Sequence, residues 1–229
     1  MTHDICAEPP VADTPTADPA ENSTGNDRQP LSDPTTFQFN LPEKAWPKAV
    51  PLSEKWYPGA RTVARTCTSR RAVPALQAVR AIVIHATAGS SSEGAFSVMR
   101  ARRASFHWLV PGASEEAHGA LAWATAPETR AAWHVANRCS HPDVAGGAKR
   151  INHISLGIEV VNRQDGREPF TDWQVQMTAD IVRYAWAKYP NLVHVVSHAK
   201  LDPERRTDPG ATFPWDQFRA LILPRSEVR

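Results

Sequence analysis

Apolar side chains along the chain fall into short runs, each closed by turn residues. Residues 81–84, Ala-Ile-Val-Ile, are continuous and mostly β-branched, which predicts a buried strand ending at His85. Ser91 or Ser92 caps the next segment, where Phe96, Met99 and Arg103 follow helical spacing. Residues 106–110 predict a second strand, closed by Pro111-Gly112, and residues 121–124 a further one. A long polar stretch over residues 137–152, rich in Asn, Ser, His, Pro and Gly, predicts a loop. Residues 154–161 form the best strand pattern in the chain, with Gly157 inside it.

The clearest helix begins after Thr171. Thr171 and Gln174 have capping-box spacing, and Phe170 and Val175 have that of a hydrophobic staple. Trp173, Met177, Ile181 and Tyr184 then recur on one face until Pro190-Asn191. Another apolar run, residues 192–196, feeds into His198. The polar, proline-containing segment after it predicts a loop running to the tight turn Asp208-Pro209-Gly210. A last short helix from Pro214 carries Trp215, Phe218 and Leu221. Strands alternating with helices predict an α/β fold with a mixed central β-sheet flanked by helices.

Composition changes the picture at the N-terminus. Residues 1–36 are acidic, rich in Pro, Thr, Asp and Ala, and poor in large apolar side chains, which predicts a disordered tail. They show no apolar core of a signal peptide, so a cytoplasmic protein is expected, with release or export to the cell wall by another route as the alternative. Residues 37–79 read as an irregular lead-in packed on the domain, with a short element at residues 73–79. Residues 80–229 are left as the main folded domain. A net charge of +2 supplies no basic field for nucleic acid. No apolar run approaches the roughly 20 residues of a membrane span. The three cysteines, Cys6, Cys67 and Cys139, make no disulfide framework and leave room only for a Cys67–Cys139 bridge.

Candidate chemistry sits at the strand ends. His85 and His198 each follow an apolar run, and Asp208 lies ten residues beyond His198. On neighbouring strands the three would make a two-histidine, one-carboxylate metal site with a position open to water. The alternative is hydrogen-bonded surface histidines. Glu159 interrupts its strand on the face of Ser155 and Gly157, opposite Leu156, Ile158 and Val160. It is either a solvent-facing glutamate or a general base and acid in a cleft.

Five segments in order resemble the type-2, zinc-dependent N-acetylmuramoyl-L-alanine amidases: I-V-I-H-A-T-A-G, S-F-H-W-L-V, W-H-V-A-N, S-L-G-I-E-V-V-N, and the S-H pair followed by R-R-T-D-P-G. That family includes phage lysozyme amidases, bacterial muropeptide-recycling amidases and the animal peptidoglycan recognition proteins. The resemblance covers about residues 80–223 and implies a single type-2 amidase-like domain. It implies one Zn²⁺ per chain on His85, His198 and Asp208, with Glu159 as acid and base. It places Arg206 where the family usually has lysine, beside the oxyanion. A guanidinium donates in a fixed fork and does not shuttle protons, so Arg206 is expected to act through charge alone. His134 matches a family histidine near substrate, and His107 matches one read as structural. The implied reaction is hydrolysis of the amide between the lactyl group of N-acetylmuramic acid and L-alanine, in peptidoglycan or muropeptides. Arg102, Arg103, Arg130 or Lys149 would meet stem-peptide carboxylates. A non-catalytic peptidoglycan-binding module and a zinc peptidase are the competing expectations.

Overall fold

The computed structural model describes residues 32–42, 56–63 and 67–223. Most of the expected tail, through residue 31, lies outside these, as does Trp46. The elements, in order, are β1 (Gln38–Asn40), β2 (Ala60–Thr62), β3 (Thr68–Arg70), α1 (Ala75–Ala78), β4 (Ala81–Ala86), α2 (Ser92–Arg102), β5 (Trp108–Val110) and β6 (Ala122–Ala124). They continue with β7 (Arg130–Ala132), α3 (Ile151–Ile154), β8 (Ser155–Val160), α4 (Asp172–Lys188), β9 (His194–Ser197), α5 (His198–Leu201) and α6 (Trp215–Ile222).

Seven strands form one sheet in the order β1-β9-β4-β8-β5-β6-β2, and β3 pairs with β7 in a second, two-stranded sheet. Strands β9, β4, β8 and β5 run parallel, while β1 and β6 are antiparallel to their neighbours β9 and β5. The mixed sheet expected from the sequence is therefore present. Strand β4, wholly apolar apart from His85, lies near the middle because it is buried on both faces.

Strand alternation separates the two faces. Ile82, Ile84, Leu156, Ile158 and Val160 join the large core under α4 and α6. Ala81, Val83 and Val196 face the other way, onto Val135, Cys139, Val144, Ile151 and Leu201. The long segment expected as a loop thus packs three apolar side chains on the sheet, and its last residues enter α3.

Helix α4 forms as its pattern predicts. The capping box is complete, and buried Gln174 also donates from Nε2 to Pro111 O and Val161 O, tying the helix start to two strand ends. Ser91, not Ser92, caps α2 by accepting from Gly94 N, and Arg103 leaves the helix in a left-handed conformation. In α6 the buried face is Trp215, Phe218 and Ile222; Leu221 is only partly covered.

Two expectations are corrected. The lead-in is not simply irregular, because it supplies β1, β2 and β3. Phe37 stacks on Trp215 with ring centroids 4.9 Å apart, and Phe39 is buried in the main core. The segment after His198 begins as a helical turn, α5, because Ser197 Oγ accepts from Lys200 N and caps it. Ser197 Oγ also donates to Pro34 O at 2.6 Å, so this cap is fastened to the N-terminal segment. Cys67 and Cys139 are not joined in a disulfide. Among the described residues no helix is long and apolar enough to cross a membrane.

Candidate metal centre

The site lies at the C-terminal ends of β9, β4 and β8, on the sheet face away from α4. His85 belongs to β4 itself rather than to the turn after it, and in register it stands opposite Glu159 of β8. Paired residues on parallel neighbours point to the same face, so the imidazole and the carboxyl share one side of the sheet. Ile84 pairs with Ser197 on the other flank, which places His198 just beyond the end of β9. Asp208 comes back beside it because Ala199 N donates to Asp208 O at 2.9 Å, closing the intervening loop.

His85 Nδ1, His198 Nδ1 and Asp208 Oδ2 form a triangle with every edge 3.0 Å. All three residues are buried. If both rings donate to Asp208 Oδ2, the Nδ1–Nδ1 edge is left as a 3.0 Å contact with no hydrogen along it, so protons do not satisfy all three edges at once. Three lone-pair donors meeting at one point are instead the arrangement for a shared cation. Among the described residues these three are also the group of His, Cys, Asp and Glu side chains able to hold a metal ion.

The electrostatics agree. Burial, reinforced by His198, pushes His85 down to about 4, so its ring is neutral and keeps a lone pair at neutral pH. Burial alone would raise Asp208, but His198 and His85 overcome it and hold the carboxylate well below its usual range. Burial and the nearby Asp208 charge push Glu159 up to about 8, with Arg206 working in the opposite direction. Arg206 is exposed at the rim, and its charge acts on both Glu159 and His85.

His134, read from the sequence as either near substrate or a packing and hydrogen-bonding residue, makes ring contacts within the protein. Its Nδ1 lies 3.0 Å from His85 Nε2 and its Nε2 3.0 Å from Ser155 Oγ. The physical reason is Gly157, whose missing side chain makes the seat: a Cβ there would stand 2.7 Å from His134 Cγ. His107 is structural, as expected. It is fully buried, accepts from Gly157 N at Nδ1 and contacts Arg130 O at Nε2. Sequence reasoning missed Arg71, a buried guanidinium that donates to Glu128 O, Asn152 O, His153 O and Ser155 O beneath the site. No pattern around residue 71 signals this, because its partners are backbone carbonyls from distant segments. Arg130, one of the basic residues expected to meet substrate, is turned to Thr68, with Nε on Thr68 Oγ1 and Nη2 on Thr68 O.

Comparison with known proteins gives the geometry a family. The model of the N-acetylmuramoyl-L-alanine amidase family matches residues 75–211, more than half of the chain, and the chain belongs to that family. It is similar to N-acetylmuramoyl-L-alanine amidase AmiD of Escherichia coli K12, with 31% identity over 160 residues, covering 66% of this chain and 56% of that protein. It is also similar to 1,6-anhydro-N-acetylmuramyl-L-alanine amidase AmpD of Citrobacter freundii, with 36% identity over 103 residues, 44% of this chain and 50% of that one. The chain thus spans about half the length of these relatives. Among solved structures it resembles E. coli AmiD in complex with the substrate anhydro-N-acetylmuramic acid-L-Ala-D-gamma-Glu-L-Lys. That match has a TM-score of 0.53 and 30% identity, and covers 67% of this chain and 60% of the other.

Proposed function

We propose that the chain is a zinc-dependent N-acetylmuramoyl-L-alanine amidase, cutting the amide between the lactyl group of N-acetylmuramic acid and L-alanine in muropeptides or peptidoglycan. The observation that carries this reading is the 3.0 Å triangle of His85, His198 and Asp208 beside Glu159, in a chain of the amidase family. The donor set fits zinc. Bonds of about 2.0–2.1 Å to a tetrahedral ion put neighbouring ligand atoms roughly 3.3 Å apart, close to what the triangle presents. Two imidazoles and one carboxylate leave one coordination position open, as a catalytic site requires.

A bound zinc ion supplies Lewis acidity and a water acidic enough to act at neutral pH. The chain's own residues do the rest. Glu159, on the same sheet face as His85, takes a proton from the attacking water and returns it to the leaving amine of L-alanine. Water adds across the bond, the C–N bond breaks, and a lactyl carboxylate and a free amino terminus result. Arg206 places a fixed positive charge at the rim, where the oxyanion gathers. A module that only binds peptidoglycan has no need of a complete ligand triangle.

Two measurements test the reading. Metal analysis of purified protein is expected to find zinc near one equivalent, with most of it lost in His198→Ala. Purified muropeptide is expected to release its stem peptide from L-alanine onward, with a chelator stopping the reaction. Cleavage within the stem peptide alone would instead identify a peptidase.

A further inference from the structure

We propose that Ile151 O, Ser155 Oγ and His134 form a one-way hydrogen-bond chain that fixes the proton of His85 on Nε2 and leaves its Nδ1 lone pair free for the metal. The proposal rests on the metal reading above, and His134 acts in it as a positioning residue.

The direction follows by elimination from the Ile151 end. Ser155 Oγ and Ile151 O are 2.7 Å apart. Two oxygens at that distance need a proton between them, and the carbonyl has none to give. The only hydroxyl hydrogen of Ser155 is therefore committed to Ile151 O. Towards His134 Nε2, 3.0 Å away, Ser155 Oγ must accept. His134 consequently carries its proton on Nε2. With its one ring proton on Nε2, the imidazole presents Nδ1 as a bare acceptor. The remaining contact, His85 Nε2 to His134 Nδ1 at 3.0 Å, then requires the proton to sit on His85 Nε2. The reverse direction would leave the 2.7 Å oxygen pair with no hydrogen.

The surroundings hold the chain in place. Asn152 Oδ1 accepts from His134 N at 3.2 Å and Val135 N at 3.0 Å, while its Nδ2 donates to Val135 O at 2.6 Å. Gly157 supplies the space, since a Cβ there would stand 2.8 Å from His134 Nδ1, the accepting atom. Ser155 and Gly157 lie on the Glu159 face of β8, so one strand face carries both the proton-moving carboxyl and the support of the metal-binding ring. The two histidines of the triangle differ in this respect. Among the described residues, His198 Nε2 is buried with no hydrogen-bond partner.

Long-range ¹H–¹⁵N correlation spectra of the full chain, zinc-free and zinc-loaded at pH 7.5, read the protonated nitrogen of each ring. Both His134 and His85 are expected as Nε2–H forms in both samples. A His134 ring protonated on Nδ1 would overturn the proposal. Chelator competition then measures zinc affinity. His134→Leu is expected to weaken it about 10–100-fold, the usual effect of removing a partner of a metal-binding histidine. His134→Asn should recover most of that loss, because its Oδ1 occupies the accepting position of Nδ1. A folded His134→Leu that holds zinc as tightly as the wild type would also overturn it. The zinc-free spectra need no variant, so they decide even where His134→Leu fails to fold. Failure of the unmutated protein to take up zinc would sink the metal reading instead, while those spectra still report the chain.

Discussion

At the scale of single residues, the proposed chemistry divides between Glu159 and Arg206. Glu159→Gln is expected to keep its zinc and lose roughly 10²–10⁴ in rate, the worth of general acid–base catalysis. Arg206→Ala is expected to lose about 10²–10³, as for one oxyanion donor. The pH profile separates them further. Activity needs the ionised carboxylate and falls as pH drops through its pKa. Arg206 favours the charged form of Glu159, so removing it should move the acidic limb of kcat/KM to higher pH. A limb that stays put in Arg206→Ala, or that survives Glu159→Gln, would reverse the assignment. The triangle of His85, His198 and Asp208 was legible in the sequence because each sits at the end of an apolar run or beside a turn signature. Glu159 was legible as a lone charge in a strand. The role of His134 was not, because it depends on a serine hydroxyl, a missing Cβ and an asparagine amide that meet it only in the fold.

At the scale of elements, the N-terminal strand makes the clearest prediction. Asp33 caps the Pro34–Thr36 turn, and Phe37, Phe39 and Leu41 are buried in the main core. Residues 1–31 are acidic and poor in large apolar side chains, so a chain starting at residue 32 is expected to keep its turnover and melting temperature. Phe39→Ala in that background should cost about 3–5 kcal/mol, the usual range for a core Phe. Denaturant unfolding checks both, and an unchanged midpoint for Phe39→Ala would show that β1 is only loosely attached. Strand β1 escaped the sequence reading for the same reason as β2, β3 and β7. Each is three residues long and includes polar or charged side chains, so it makes neither the apolar run that revealed β5 and β6 nor a readable alternation. Helix α4, with 17 residues and a full capping box, declares itself. Helix α5 hid behind its polar composition, since one turn needs only the Ser197 cap.

At the scale of the whole molecule, the sheet gathers neutral histidines. Burial pushes His85 down to about 4 and His107 to about 3, and lowers His134 as well. Each folded-state pKa lies below the unfolded value of about 6.5, so the unfolded chain takes up these protons first. Their contribution is full above about pH 6.5 and is lost as pH falls. Glu159 and Glu128 act in the opposite sense, because burial raises both. His153 and His194 are lowered by burial too, so the histidines outnumber the two glutamates and the unfolded chain binds more protons. Zinc-free protein should therefore lose stability as pH falls from roughly 6.5 to 4.5. Urea midpoints measured with chelator present test this, and a midpoint constant over that range would contradict it. Alternating strands and helices made the mixed sheet legible. The strand order was not, because β1 and β9 become neighbours across a separation that no local pattern encodes.

The backbone bond from Ala199 N to Asp208 O gives the site a memory. It closes the loop between two of the three proposed ligands, and β4 carries the third. The ordering entropy of the ligand set is thus spent during folding and not when the ion arrives. Stripping the ion is then expected to leave an intact receptor, and reloading becomes a single encounter limited by diffusion and dehydration of the cation.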